Sequence, residues 1–109
     1  KTSLQEKVYF DFDKSALSNF TKEVLSKYVK ESKKASIIRL EGHCDERGTR
    51  EYNLALGEKR AIEVKNYLII QGVPSSKIKI ISYGEEKPIS FGSTEDDWKQ
   101  NRRVEIALF

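Results

Sequence analysis

A chain of 109 residues can enclose one two-layer core without help from a disulfide or a structural metal. Charged residues make up 34%, but both signs are interspersed and the formal net charge is only +3, which argues against a nucleic-acid-binding surface; the patterned apolar positions described below argue against disorder. The single cysteine excludes an internal disulfide, and no apolar run approaches the ~20 residues that cross a bilayer as a helix.

Along the chain, residues 1–7 read as the end of a flexible tether. Val8, Phe10 and Phe12 then alternate with Tyr9 and Asp11, predicting a strand that closes near Asp13. Leu17, Phe20, Val24, Leu25 and Tyr28 trace a helical stripe. A second strand runs through Ile38 and Leu40, with Arg39 and Glu41 on its polar side. The next helix extends from Thr49 or Arg50 to Ile70, because Leu54, Gly57, Ala61, Val64 and Leu68 recur at helical spacing. Gly72 suits a left-handed cap and Pro74 cannot continue the helix. Gly57 falls on the buried side of this helix, where a missing Cβ would permit close approach to a sheet. Ile78 and Ile80 read as a third strand, residues 95–100 as a short helix, and Val104, Ile106 and Leu108 as a fourth strand. Each strand has one apolar side, so the expected fold is α+β, a two-layer sandwich with helices on one face of the sheet. With no repeat or linker, residues 1–109 form a single domain.

The run Gly42-His43-Cys44-Asp45-Glu46-Arg47-Gly48-Thr49 places Asp45 in a strand-to-helix loop and Arg60 on the helix that follows. A carboxylate beside a two-pronged guanidinium suits a small zwitterion, whose ammonium pairs with the acid and whose carboxylate pairs with the base. The alternative is that Asp45 and Arg60 pair with each other and brace the loop. Asn53, Leu56 and Arg60, spaced by three and four, share a stripe of the helix that the loop can reach.

Catalytic and metal readings are weaker. His43, Cys44, Asp45 and Glu46 are consecutive and cannot easily converge on one ion, and no second ligand pair accompanies them, so no metal or other cofactor is expected. His43 reads instead as a strand-end residue bonded to the loop, and Cys44 as a small buried apolar group. Adjacent strand residues point to opposite faces, which disfavours a Cys44–His43 nucleophile. Asp11 and Asp13 have no second acid placed across a sugar-sized cleft, and neither a phosphate-cradling glycine motif nor a Gly-x-Ser-x-Gly elbow occurs. Asn101-Arg102-Arg103, with Asp96 and Asp97 nearby, reads as a structural ion-pair cluster, and Trp98 as a packing residue.

The loop run, continued by Tyr52-Asn53, Leu56-Gly57, Arg60-Ala61 and Val64, closely resembles the signature of the OmpA-like peptidoglycan-binding domain family. Val8-Tyr9-Phe10-Asp11-Phe12-Asp13-Lys14, Ser82-Tyr83-Gly84-Glu85-Glu86-Lys87-Pro88 and Asn101-Arg102-Arg103-Val104 follow in the family's order, so the resemblance covers nearly the whole chain. Within the family it looks most like the lipid-anchored, peptidoglycan-associated branch.

The resemblance implies a mixed four-stranded sheet and a noncatalytic domain that binds peptidoglycan noncovalently. Asp45 and Arg60 match the positions with which the family holds diaminopimelate in the peptide stem. The match of Phe12 and Asp13 suggests that their loop forms the opposite wall of the groove, its backbone N–H groups open to a carboxylate; Phe12 reads equally as a core residue. Arg47 contacts the stem or stays solvated, Asn53 bonds the stem or closes the loop, and Leu56 supplies an apolar floor. The implied setting is the periplasmic face of the outer membrane of a Gram-negative bacterium, reached through an N-terminal lipid anchor absent from this monomeric domain. The implied partners are the peptide stem, TolB and other Tol proteins, in cell-envelope integrity and division. Rival readings are the wall-binding domain of an OmpA-type porin or a MotB-type stator, and, from another class, a cell-wall hydrolase.

Overall fold

The period-two and period-3.6 apolar patterns of the sequence become the two layers of the fold in a computed structural model, which describes residues 4–109. In chain order the elements are β1 (Leu4–Tyr9), α1 (Asn19–Ser26), α2 (Val29–Lys34), β2 (Ile38–His43), α3 (Arg50–Ile70), β3 (Ile78–Gly84), α4 (Glu95–Asn101) and β4 (Arg103–Leu108), with one 3-10 turn at Ser75–Lys77. The strands form one mixed sheet in the order β1-β4-β2-β3. β4 runs antiparallel to both of its neighbours, and β2 and β3 are parallel, joined through α3.

Val8, Ile38, Leu40, Ile78, Val104, Ile106 and Leu108 leave one face of the sheet and pack against Leu25, Ala61, Val64 and Leu68 of the helices, forming a single core. α3 starts where the Thr49 side chain accepts from the Tyr52 N–H at 3.1 Å. It stops at Gly72, whose φ of +99° lets the Val73 N–H return to the Leu68 carbonyl at 2.9 Å. Gly57 and Gly42 set the spacing between α3 and the sheet. A Cβ built on Gly42 would lie 1.8 Å from the Gly57 carbonyl oxygen, and one on Gly57 would lie 2.4 Å from Ser82 Oγ. The absence of both side chains therefore lets α3 lie against β2, which brings the start of the helix over the end of that strand.

The N-terminal part of the chain differs from the sequence expectation. Residues 4–7 are ladder residues of β1, paired with β4, and not tether; residues 1–3 of the expected tether lie outside the described residues. β1 ends at Tyr9, earlier than expected, because the chain turns at residues 11–14, where the Lys14 N–H bonds the Asp11 carbonyl and Asp13 takes a φ of +58°. Phe10 is still buried, but Phe12 is carried out of the core and is 53% exposed. The single helical stripe is likewise broken into α1 and α2 by a turn at Lys27 and Tyr28, leaving Leu25 in the core and Phe20 at the surface.

Candidate functional site

The turn at residues 11–14, the β2–α3 loop and the first turns of α3 surround a groove of about 260 Å³. Phe12, Asp13, Asp45, Arg47, Asn53, Leu56 and Arg60, all named from the sequence, line it, together with Cys44, Gly48 and Tyr52. Asn53 holds the loop in place. It is buried, and its amide donates to the carbonyls of Arg47 at 2.9 Å and Asp45 at 3.4 Å and to the Glu85 carboxylate. Of its two sequence readings, this structure forms the loop closure. Leu56 is buried and lines the groove.

Asp45 is 3% exposed and belongs to a cationic clasp. Its Oδ1 accepts from the Arg47 backbone N–H at 3.0 Å and from Arg47 Nε at 3.1 Å, and its Oδ2 accepts from Arg47 Nη2 at 2.8 Å and from Arg102 Nη1 at 3.4 Å. Burial by itself would raise the carboxyl pKa, but the bonds from Arg47 and then Arg102 outweigh it and hold the group below its ordinary value. Asp45 is therefore an anion at neutral pH. The guanidinium of Arg47 lies between two aromatic faces, 3.9 Å from the Phe12 ring centroid and 4.0 Å from that of Trp98. Trp98 in turn donates its indole N–H to Glu46 at 2.9 Å, so its part extends beyond packing.

Arg60 is not the partner of Asp45, contrary to the bracing pair considered from spacing. It is fully buried and donates to three backbone carbonyls: Lys14 at 2.8 Å, His43 at 2.9 Å and Asp11 at 3.0 Å. A fourth, longer contact reaches Cys44 Sγ at 3.4 Å. Every one of these acceptors is uncharged, so the guanidinium's own bonds leave its charge unneutralised in the groove lining, with the Asp45 and Asp13 carboxylates acting on it without bonding it. Burial pulls its pKa down, but a guanidinium retains its proton in a protein. The same bonds tie the turn at residues 11–14 to the end of β2. On that turn the N–H groups of Phe12 and Asp13 donate to nothing among the described residues, and the Asp13 carboxylate accepts the Tyr52 hydroxyl.

The remaining polar residues follow the sequence expectations in part. Burial foremost pushes the Cys44 thiol up to about 11, and its S–H points to the Asn53 carbonyl at 3.3 Å, which leaves it a buried neutral group. His43, expected to bond the loop, has no partner for either ring nitrogen among the described residues; its ring stacks on Tyr83 at 5.4 Å. Arg102 and Arg103 do form ion pairs, but not with Asp96 and Asp97. Arg102 joins Asp45 and Glu95, and Arg103 joins Glu105, whereas Asp96 pairs with Lys99 and Asp97 caps α4. Tyr52 was visible in the sequence only as a member of the motif. Arg102 reaches the site through tertiary folding, for which its own neighbourhood in the sequence gave no sign.

Three comparisons place these features among known proteins. The model of the OmpA family matches residues 9–102. A protein of Pseudomonas putida called peptidoglycan-associated lipoprotein is 48% identical over 99 residues, covering 90% of this chain and 60% of that protein. The protein of the same name from Brucella melitensis is 40% identical over 105 residues, covering 94% of this chain and 62% of that protein. The chain thus spans about six-tenths of the length of these curated relatives. The crystal structure of the peptidoglycan-associated lipoprotein from Burkholderia pseudomallei has a TM-score of 0.90 to this fold at 39% identity, covering 94% of this chain and 89% of that one.

Proposed function

The chain belongs to the OmpA family, and from that premise we propose that its groove binds peptidoglycan noncovalently, holding the diaminopimelate residue of the peptide stem. The observation that carries this reading is the separation of charge in the groove. Asp45 is a buried carboxylate whose present partners are arginines, and Arg60 is a buried guanidinium whose present partners are all neutral. A zwitterionic side-chain terminus fits that pair of poles, with its ammonium at Asp45 and its carboxylate over Arg60. Five N–H groups radiate from a guanidinium, and four of those on Arg60 are engaged, which leaves one on Nη2. The free amides of Phe12 and Asp13 add further donors for the same carboxylate.

For the ammonium to reach Asp45, Arg47 gives up at least one of its two side-chain bonds to that carboxylate. Binding therefore exchanges one charge-assisted pair for another and is modest and reversible. In a longer protein tethered by a lipid to the outer membrane, many such grips would fix that membrane to the wall collectively. TolB and the other Tol proteins are the partners proposed for that assembly, and the domain itself performs no catalysis.

Calorimetric titration tests the reading, with a diaminopimelate-containing muropeptide and its lysine-containing counterpart. Wild-type protein binds the first selectively, and Asp45→Ala and Arg60→Ala each lose binding while circular dichroism reports the fold. Undiminished binding in folded variants would move the site elsewhere, and equal affinity for the two muropeptides would remove the role of Arg60. Mass analysis of the muropeptide afterwards shows it uncleaved; cleavage products would favour a hydrolase.

A further inference from the structure

The face of the sheet away from the helices carries a cluster that the groove does not use. Glu41 of β2 and Glu105 of β4 are direct partners across the ladder, and His43 lies two residues further along β2 on the same face. One ligand atom from each of the three lies within 4.8 Å of the others. His43 is 1% exposed, yet neither ring nitrogen has a hydrogen-bond partner among the described residues. Buried polar groups are nearly always bonded, so an imidazole left without any partner requires an explanation. Its Nε2 faces Glu41 Oε1 at 3.9 Å, too far for a hydrogen bond but suited to an ion held between them.

We propose that Glu41, His43 and Glu105 form a binding site for a divalent transition-metal ion of the zinc type, independent of the groove and of its ligand. One imidazole nitrogen and two carboxylate oxygens suit zinc, with water completing the shell. Bonds of about 2.1 Å place tetrahedral ligands roughly 3.4 Å apart, so the glutamates close inward by about 1 Å through side-chain rotation. Both are held from behind in a way that permits this. Arg103 Nε donates to Glu105 Oε2 at 2.6 Å, and Arg39 Nε lies 2.9 Å from Glu41 Oε2 without directing an N–H at it. Such an outer bond orients a ligating carboxylate, here Arg103 on Oε2 of Glu105, while Arg39 draws Oε2 of Glu41 by charge alone and Oε1 of Glu41 faces the imidazole. The positive charges of Arg39, Arg103, Lys7 and Lys87 around the cluster oppose a cation and moderate its affinity.

The chain contains one histidine and one cysteine, which makes the shell easy to assign. Titration of tag-free protein with zinc chloride, followed by calorimetry and by X-ray absorption, gives one ion per chain. The shell contains a single imidazole and oxygen ligands at about 2.0–2.1 Å, with no sulfur at about 2.3 Å. Glu105→Gln keeps the strand and its burial and weakens binding at least tenfold, whereas Glu58→Gln, an exposed carboxylate on α3, leaves it unchanged. Absence of saturable uptake, a sulfur ligand, or equal affinity in Glu105→Gln and wild type would each overturn the proposal.

Discussion

Asp45 and Arg60 lie in one groove without touching each other, and that separation makes their contributions distinguishable. A carboxylate with a folded-state pKa below its unfolded value of about 3.9 stabilises the fold at every pH above that value. The contribution is lost as pH falls through the folded value. Asp45→Asn is expected to cost about 2 kcal/mol at pH 7. This is less than the usual cost of stranding a buried charge, because Arg102 keeps Glu95 and Arg47 can turn to solvent. Urea midpoints at pH 7, 5 and 3.5 check this: the gap between variant and wild type stays constant from pH 7 to 5 and narrows only below about pH 4. A gap already closing at pH 5 would show that the clasp does not hold the carboxyl ionised. The residues of the groove were legible in the sequence because the motif strings them along one loop and one helix stripe. Their pairings were not. The Arg47–Asp45 bond is local, two residues apart, but the sequence reading weighed Arg60 as the partner of Asp45 instead, and Arg102 arrives from the end of α4 across the fold.

At the scale of elements, the position of the groove depends on how closely α3 lies on the sheet. Gly42→Ala would drive a methyl group to 1.8 Å from the Gly57 carbonyl oxygen, a backbone atom that cannot step aside alone. Its expected cost exceeds about 3 kcal/mol, as for severe overpacking, and α3 shifts away from β2. Gly57→Ala meets Ser82 Oγ at 2.4 Å and the Gly42 carbonyl at 3.0 Å, so part of its clash belongs to a side chain. Ser82→Ala removes that oxygen and its bond to the Leu54 carbonyl. The double variant Gly57→Ala/Ser82→Ala should therefore be more stable than the sum of the single effects predicts, by about 1 kcal/mol, as thermal unfolding of the four proteins will show. Additive losses would mean that the backbone contact dominates. Helical periodicity located α3 and the role of Gly57 correctly, since a long buried stripe is a strong signal. The alternation at Val8, Phe10 and Phe12 was misleading for a physical reason: β1 pairs only as far as β4 extends, and the turn at residues 11–14 is held by Arg60, a contact that no local pattern encodes.

The whole molecule takes part in the site. The turn that supplies Phe12 and Asp13 follows β1, Asp45 and Arg47 follow β2, Arg60 lies midway along α3, and Arg102 precedes β4. Three of the four strands thus deliver a segment to one end of the sheet, and Arg60 bonds carbonyls from two of those segments at once. A ligand that pairs with Asp45 and Arg60 consequently binds only when β1, β2 and α3 are assembled, and it has no comparable site in the unfolded chain. Under that linkage, a muropeptide at one hundred times its Kd raises the unfolding free energy by about 2.7 kcal/mol. The gain should appear as a higher urea midpoint with an unchanged m-value, and as slower amide exchange in β1 and β4 as well as in the loop beside the ligand. An isolated peptide spanning residues 36–70 contains the motif, Asp45, Arg47 and Arg60, but lacks the turn that holds Arg60 and Arg102, the second arginine on Asp45. It should show no saturable binding. If it bound as the whole domain does, recognition would be a local property of the loop and helix, and the charge separation created by the fold would have no part in it.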